Sequence, residues 1–314
     1  MLLSILIPTY NRDEFLLTNL NLLKRYILDG RYEYEVEIVV SNNNSNDNTQ
    51  LLLERFKDLN KDLVLSFFLQ EKNIGLEANA LYVLNKAKGH FVMYLGDDDY
   101  INYEYLSECI GIIKNDCLAS VVIPNYVPVN VDGEVLGIAR SSIQPTKSYP
   151  AGFKNCLKNS WKGHQLSGLV FKRESLFDSY LERKVNNIYL FIYFTAYSCL
   201  KGKCYLITSN PVKVTQPIKK KDWGYGDDGL INQIFDNYKK LDINVFKKTR
   251  LQIYFFHKQS WRIWIYSKNK RSFFKAFLKI VKSNNSTFLF KAIFPFQVVI
   301  EYFLGKWASN QKND

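Results

Sequence analysis

Phe91-Val92-Met93-Tyr94-Leu95-Gly96-Asp97-Asp98-Asp99 is a short apolar run that ends in three adjacent carboxylates. The run reads as a buried strand. Three neighbouring carboxylates repel one another, and a divalent cation with oxygen ligands is the natural neutraliser. A cation held there can bridge to a diphosphate. Two earlier stretches have the same form. Leu2-Leu3-Ser4-Ile5-Leu6-Ile7 runs into Pro8-Thr9-Tyr10-Asn11-Arg12, and Glu37-Ile38-Val39-Val40 runs into Ser41-Asn42-Asn43-Asn44-Ser45-Asn46-Asp47-Asn48-Thr49.

Helical patterns lie between these strands. Phe15, Leu16, Leu20, Leu22, Leu23 and Tyr26 recur at helical spacing, as do Leu51, Leu52, Leu53, Phe56 and Leu59. Leu63–Leu69 reads as a further strand, and Glu77–Lys86 as a helix stopped by Gly89. The βαβα alternation predicts an α/β fold with a mainly parallel sheet and helices on both faces. Ligands in such sheets bind beyond the carboxyl ends of the strands, where all three polar segments fall. Further on, Val121–Pro124, Gly168–Phe171 and Cys204–Ile207 read as strands, Tyr189–Leu200 as an apolar helix, and Lys219–Gly229 as a loop.

The 314 residues suffice for one large domain, or a domain with an appendage, and 47% hydrophobic content supports a sizeable core. A net charge of +12 calls for an anionic partner: nucleic acid, anionic lipid or a phosphorylated substrate. Cys109, Cys117, Cys156, Cys199 and Cys204 show no CxxC spacing and read as reduced thiols. The N-terminus lacks a basic n-region, so a cytoplasmic setting is expected. Phe288–Trp307 is interrupted by Lys291, Pro295, Gln297 and Glu301 and does not read as a membrane span.

From about Val245 the character changes. Glu301 is the one acid between Val245 and Gln311, while lysines and arginines alternate with large aromatics. Three readings apply. A nucleic-acid surface would use the aromatics for stacking. An interfacial membrane segment would set the cations on headgroups and Trp261, Trp264, Phe273, Phe274 and Phe277 at the acyl boundary. Ordinary packing on the preceding domain is the third. The membrane reading is preferred.

A nicotinamide-binding Rossmann domain needs a glycine-rich turn after its first strand, and the turn at Pro8–Arg12 has no glycine. Together with Asn73-Ile74-Gly75-Leu76-Glu77-Ala78-Asn79, the polar segments instead resemble glycosyltransferase family 2, of the GT-A fold, over roughly residues 1 to 210. The resemblance implies a Rossmann-like mainly parallel sheet flanked by helices, with a C-terminal helical extension. It divides the chain into a GT-A domain at 1–240, with a nucleotide-binding half at about 1–100 and an acceptor half at about 101–240, and a basic-aromatic region at 241–314.

The resemblance also assigns roles. Pro8, Thr9, Tyr10 and Arg12 would line the base pocket, and Asn42 would face base and ribose. Gly75 and Asn79 would lie near the diphosphate or donor sugar. Asp97-Asp98-Asp99 would be the DxD motif, with Asp98 beside the nucleotide and Asp97 and Asp99 binding Mn²⁺ or Mg²⁺. Such a metal stabilises a leaving nucleoside diphosphate as a Lewis acid.

Two departures stand out. The family usually has Asp where this chain has Asn42. It also carries an acidic pair, whose Asp is the catalytic base, near the helix that here reads Asn187-Ile188-Tyr189-Leu190-Phe191, yet no acid occurs from Arg183 to Lys221. Asp228 and Asp227, in a glycine-flanked loop beside Trp223 and Tyr225, are the substitutes expected to act as base, with a solvated turn as the alternative. Asp222 and Glu182 come next. A family histidine that ligates metal has no counterpart in Pro211–Gln216. His90 and His257 read as structural, and His164 either faces the acceptor or belongs to a loop.

The expected function is a metal-dependent, inverting glycosyl transfer. A nucleotide-diphosphate sugar, foremost a UDP-sugar, would donate to a hydroxyl of a lipid-linked glycan in surface-polysaccharide assembly, with capsule and O-antigen as the analogies. The enzyme would sit peripherally on the anionic inner face of the cell membrane, without nucleic acid. A catalytically weak nucleotide-sugar- or partner-binding relative is the alternative, and a nucleic-acid-binding protein the third reading.

Overall fold

The computed structural model describes residues 1–216 and 225–310, with side chains to 304. Its strands are β1 (Leu3–Thr9), β2 (Val36–Asn42), β3 (Val64–Leu69), β4 (Phe91–Tyr94), β5 (Ala119–Val129), β6 (Lys147–Tyr149), β7 (Val170–Lys172) and β8 (Lys203–Thr215). They form one sheet in the order β3-β2-β1-β4-β7-β5-β8-β6. β3, β2, β1 and β4 run parallel. The short β7 runs against both β4 and β5, and β8 then pairs parallel with β5.

Side chains alternate across the sheet and build two apolar layers. Leu3, Ile5 and Ile7 of β1 and Val36, Ile38 and Val40 of β2 face one layer. It is covered by α1 (Asp13–Asp29), α2 (Thr49–Leu59) and α4 (Tyr103–Asn115). α1 begins with Asp13 and Glu14, which favour a helix N-terminus, and buries Leu16, Leu20, Leu23 and Ile27 on one stripe. Leu6 and Val39 face the other layer, with α3 (Leu76–Lys86), α6 (Leu176–Glu182) and α7 (Leu190–Lys201). Gly75 precedes α3 at φ +83°, a conformation that only glycine adopts without strain. α5 (Phe153–Asn159) and a 3₁₀ turn, Ser160–His164, lie against α7.

This second layer continues into the C-terminal helices: α8 (Ile231–Lys240), α9 (Val245–Lys258), α10 (Trp261–Trp264), α11 (Lys270–Lys282) and α12 (Phe288–Asn310). Phe235 of α8 meets Phe290 of α12 edge-on at 4.8 Å, and Phe256 meets Phe294 at 4.9 Å. Arg262 is 2% exposed. Its Nη1 donates to the Tyr189 hydroxyl and the Gly229 carbonyl, both at 3.0 Å, tying α10 to the start of α7.

Part of the expectation for this region needs correcting. Trp264 stacks on Phe273 at 5.3 Å and Phe277 on Phe294 at 5.2 Å, so these three rings of the expected membrane segment fill the space between helices. Their spacing matches an apolar face, and that face turns inward. Trp261 and Phe274 keep 40% and 60% of their surface exposed. No described helix is long and apolar enough to cross a membrane.

The shared core predicts cooperative unfolding. Phe290→Ala should destabilise the whole chain by about 3–5 kcal/mol. Urea melts followed by tryptophan fluorescence and by far-UV circular dichroism should stay coincident.

Candidate active site

The three polar segments converge at the carboxyl edge of β1, β2 and β4. The first two loops are laced together. Asn11 N–H donates to Ser45 Oγ at 2.9 Å, Asn46 N–H donates to Asn11 Oδ1 at 2.8 Å, and Asp13 N–H reaches Asp47 Oδ2 at 3.2 Å. Tyr10, 41% exposed, and the exposed Arg12 stand on the rim, with Pro8 partly covered. Thr9 is buried.

The carboxylate turn is braced from three directions. Asn19, on the buried face of α1, donates Nδ2 to the carbonyls of Gly96 at 3.0 Å and Asp99 at 2.9 Å. Ser167 Oγ donates to Asp99 Oδ2 at 2.5 Å and accepts Gly96 N–H at 3.0 Å. Gln165 Nε2 donates to Asp99 Oδ2 at 3.1 Å, and Thr215 N–H donates to Asp99 Oδ1 at 2.9 Å. A Cβ on Gly96 would lie 3.1 Å from both Asp99 Oδ2 and Ser167 Oγ, which explains the glycine.

Asp99 is therefore 5% exposed, and both its oxygens are engaged by protein donors. The geometry gives Asp99, expected as a metal ligand, a bracing role in the turn as well. Asp97 and Asp98 are partly exposed. Burial foremost, then the charge of Asp98, holds the Asp97 carboxyl well above the ordinary carboxylate range, with Asp99 adding a smaller push. The Thr9 hydroxyl and the Arg12 guanidinium pull in the opposite direction. The turn thus stores repulsion that a cation would relieve, and its donors are hard oxygens suited to Mg²⁺ or Mn²⁺. No group of three or more His, Cys, Asp or Glu side chains converges as a metal site among the described residues. A cation here would take part of its coordination from a bound ligand.

The amides expected at the nucleotide have structural work as well. Asn42 is fully buried, its Oδ1 accepts Ser45 N–H at 2.9 Å, and its Nδ2 lies 3.4 Å from Gln50 Oε1. Asn79 accepts from Ser41 Oγ at 2.6 Å and donates to the Ser41 carbonyl at 3.1 Å, which locks α3 to β2. Gly75, by contrast, is exposed, with open space above its Cα.

Asp228 is 3% exposed and accepts N–H bonds from Leu230 at 3.2 Å and Asn232 at 3.3 Å. These bonds hold the turn before α8 to the first residues of the helix. Asp227 is exposed and pairs with Lys275 at 3.0 Å, which holds its carboxyl below the ordinary range. Tyr225 meets Trp261 edge-on at 5.2 Å beside Arg262. Asp222 and Trp223 lie outside the described residues. His164 stacks on Trp161 and donates Nδ1–H to the Trp161 carbonyl at 2.9 Å. Burial foremost, then Arg140, pushes its pKa down to about 3, so it is neutral.

The fold also brings up acids that sequence spacing did not reveal. Asp236 of α8 lies 3.4 Å from the Asn187 amide, at the very segment devoid of acids. Glu77 accepts from the Tyr180 hydroxyl at 2.5 Å. Burial holds both carboxyls above the ordinary range. Asn19 carried one legible signal, an amide on the apolar stripe of an amphipathic helix. Gln165, Ser167 and Thr215 carried none.

A sequence model described as glycosyl transferase family 2 matches residues 4–175. The poly(ribitol-phosphate) beta-N-acetylglucosaminyltransferase TarS of Staphylococcus aureus is 33% identical over 114 residues, 36% of this chain and 19% of TarS. An uncharacterized glycosyltransferase of Mycoplasma genitalium is 31% identical over 110 residues, 34% of this chain and 35% of that protein. These alignments span between a fifth and about a third of the relatives' own lengths. Among solved structures, S. aureus TarS 1-349 in complex with UDP-GlcNAc superposes with TM-score 0.72 at 18% identity, covering 99% of this chain and 92% of that one. GalNAc-T7 with UDP, GalNAc and Mn²⁺ gives TM-score 0.53 at 14% identity over 82% and 51%. The likeness identifies the fold as that of the GT-A enzymes.

Asn19→Ala removes the two close amide bonds to the turn and leaves buried carbonyls unpaired. It should cost about 1–3 kcal/mol in urea denaturation. Asn19→Asp, which keeps the shape but not the donor, should cost at least as much.

Proposed function

The chain belongs to glycosyl transferase family 2, and on that premise we propose that it transfers a sugar from a nucleotide-diphosphate donor to a hydroxyl acceptor. The observation that carries this reading is the braced carboxylate turn at the carboxyl edge of parallel strands, facing the rim of Tyr10 and Arg12. A UDP-sugar is the proposed donor, supported by the UDP-GlcNAc complex of TarS.

Pro8, Thr9, Tyr10 and Arg12 form the side of the site that takes the base and ribose. The open backbone at Gly75 leaves room for the diphosphate. Asp97 and Asp98 hold Mn²⁺ or Mg²⁺, and Asp99 aims the turn. An ion held there would supply Lewis-acid neutralisation of the departing diphosphate. Arg12, close enough to act on the Asp97 charge, adds a fixed positive charge on the same side.

The reaction in this proposal is a single displacement with inversion, so a carboxylate must receive the acceptor's proton. Asp227 takes that role, since Asp228 is 3% exposed and accepts two backbone N–H bonds. A specific observation favours Asp236 as the second reading: it meets Asn187, in the stretch without acids of its own, and burial holds its proton more tightly than in water. The acceptor is proposed to be a lipid-linked surface glycan, which brings the enzyme to the inner face of the membrane. Residues 1–240 would be the catalytic unit and 241–314 the docking unit.

Two experiments test this. Asp227→Asn and Asp236→Asn, made separately and assayed over a panel of nucleotide sugars, should differ. The base variant should lose about 10² or more in kcat with donor binding retained. If neither loses activity, both assignments fail.

The second concerns the metal. Native Asp97 retains its proton to higher pH than the unfolded chain does. The metal-free protein should therefore lose stability as pH rises from the ordinary carboxylate range toward neutrality. Mn²⁺ should raise Tm more at pH 8 than at pH 5, and Asp97→Asn should abolish that difference. A Tm unmoved by Mn²⁺ with UDP at either pH would refute the metal site.

A further inference from the structure

α12 presents its side chains inside out. The face turned into the protein carries Phe290 and Phe294, but also the polar Gln297 and Glu301. Gln297 Nε2 donates to the Ile253 carbonyl at 2.7 Å, and Glu301 meets His257 Nδ1 at 2.7 Å. The opposite face is apolar. Phe288 is 81% exposed, Phe296 71%, Phe303 64%, and Val299 and Ile300 55% each. Phe288, Phe296, Val299 and Phe303 follow one another at helical intervals. At 1.5 Å per residue they form a stripe about 22 Å long. No described element covers it, and an uncovered apolar stripe of this size marks an interaction surface.

The surrounding charge selects the occupant. Residues 245–311 hold thirteen lysines and arginines against one acid. That acid, Glu301, is buried on the inner face of α12 against His257, away from the stripe. Lys270, Arg271 and Lys282 are exposed on α11, which packs on α12, and Phe274 is exposed among them. A second copy of the chain would bring two strongly cationic regions together. An anionic bilayer offers the opposite charge and an apolar interior.

We propose that the exposed face of α12 lies in the plane of an anionic membrane surface, with the cations of α11 over the headgroups. This rests on the membrane attachment proposed above and gives it a place. No described helix is long and apolar enough to cross the bilayer. Side chains 55–81% exposed would be the ones that enter the acyl boundary, while Trp264, Phe273 and Phe277 stay inside the fold.

The test uses the full chain, without donor or acceptor, so its outcome is separate from that of the transferase assays. Sedimentation is measured with vesicles of phosphatidylglycerol and phosphatidylcholine, and with phosphatidylcholine alone. Light scattering reports the oligomeric state. The wild-type chain should partition about tenfold or more in favour of the anionic vesicles. Phe296→Ser combined with Phe303→Ser should weaken that partition by about tenfold or more, with melting temperature and oligomeric state unchanged. Should the pair unfold, Phe303→Ser alone gives the same readout with a loss of about threefold or more. Equal partition to both vesicle types, or variants that bind like the wild type, would overturn the proposal. So would an oligomer that the substitutions convert to monomers, because the stripe would then be an interface between copies.

Discussion

A buried carboxylate is tolerated only where donors surround it, and Asp99 is the point at which this chain meets that demand. Its oxygens take a hydroxyl from Ser167, an amide from Gln165 and a backbone N–H from Thr215. The first two residues precede β7, and the third ends β8. One charged side chain thus fixes the ends of strands that enter the sheet in opposite directions. The turn carrying Asp97 and Asp98 is held against α1 by Asn19. Removing water from Asp99 is what makes its neighbours so specific.

The cost of that rigidity appears in Asp97. It is crowded by burial and by Asp98 and Asp99, and its proton is held more tightly than a carboxylate in water would hold it. A site in this condition is poised for a cation or for an electropositive ligand. The same residues that keep the turn in place keep it electrostatically unsatisfied. Arg12 and the Thr9 hydroxyl offset only part of the repulsion.

A second constraint links the site to the C-terminal helices. Arg262 is buried, and its guanidinium Nη1 donates to the Tyr189 hydroxyl and the Gly229 carbonyl. Its guanidinium also lies 4.8 Å from the Trp261 ring and 5.0 Å from that of Tyr189. The start of α7, the turn before α8 and α10 are held by one side chain. The helices from α8 onward are therefore an extension of the sheet's second layer as well as a surface of their own.

Local sequence determined the strands β1, β2, β3 and β4, the helices α1, α2 and α3 between them, and the edge on which the polar segments gather. Each of these depends on apolar periodicity within a dozen residues, which a chain displays without folding. Composition likewise gave the cationic tail. Only the tertiary structure decided which polar side chains are free to meet a ligand and which are consumed as braces. Asp99, Asn79 and Asp228, read as site residues by motif or composition, also hold Ser167, Ser41 and the backbone of Leu230 and Asn232. Asp236 reaches Asn187 across 49 positions. The aromatics of the tail were sorted by the same means, some into the core and others onto the outer face of α12. Hydrogen-bond partners and burial depend on contacts between distant segments, and spacing along the chain does not encode those contacts.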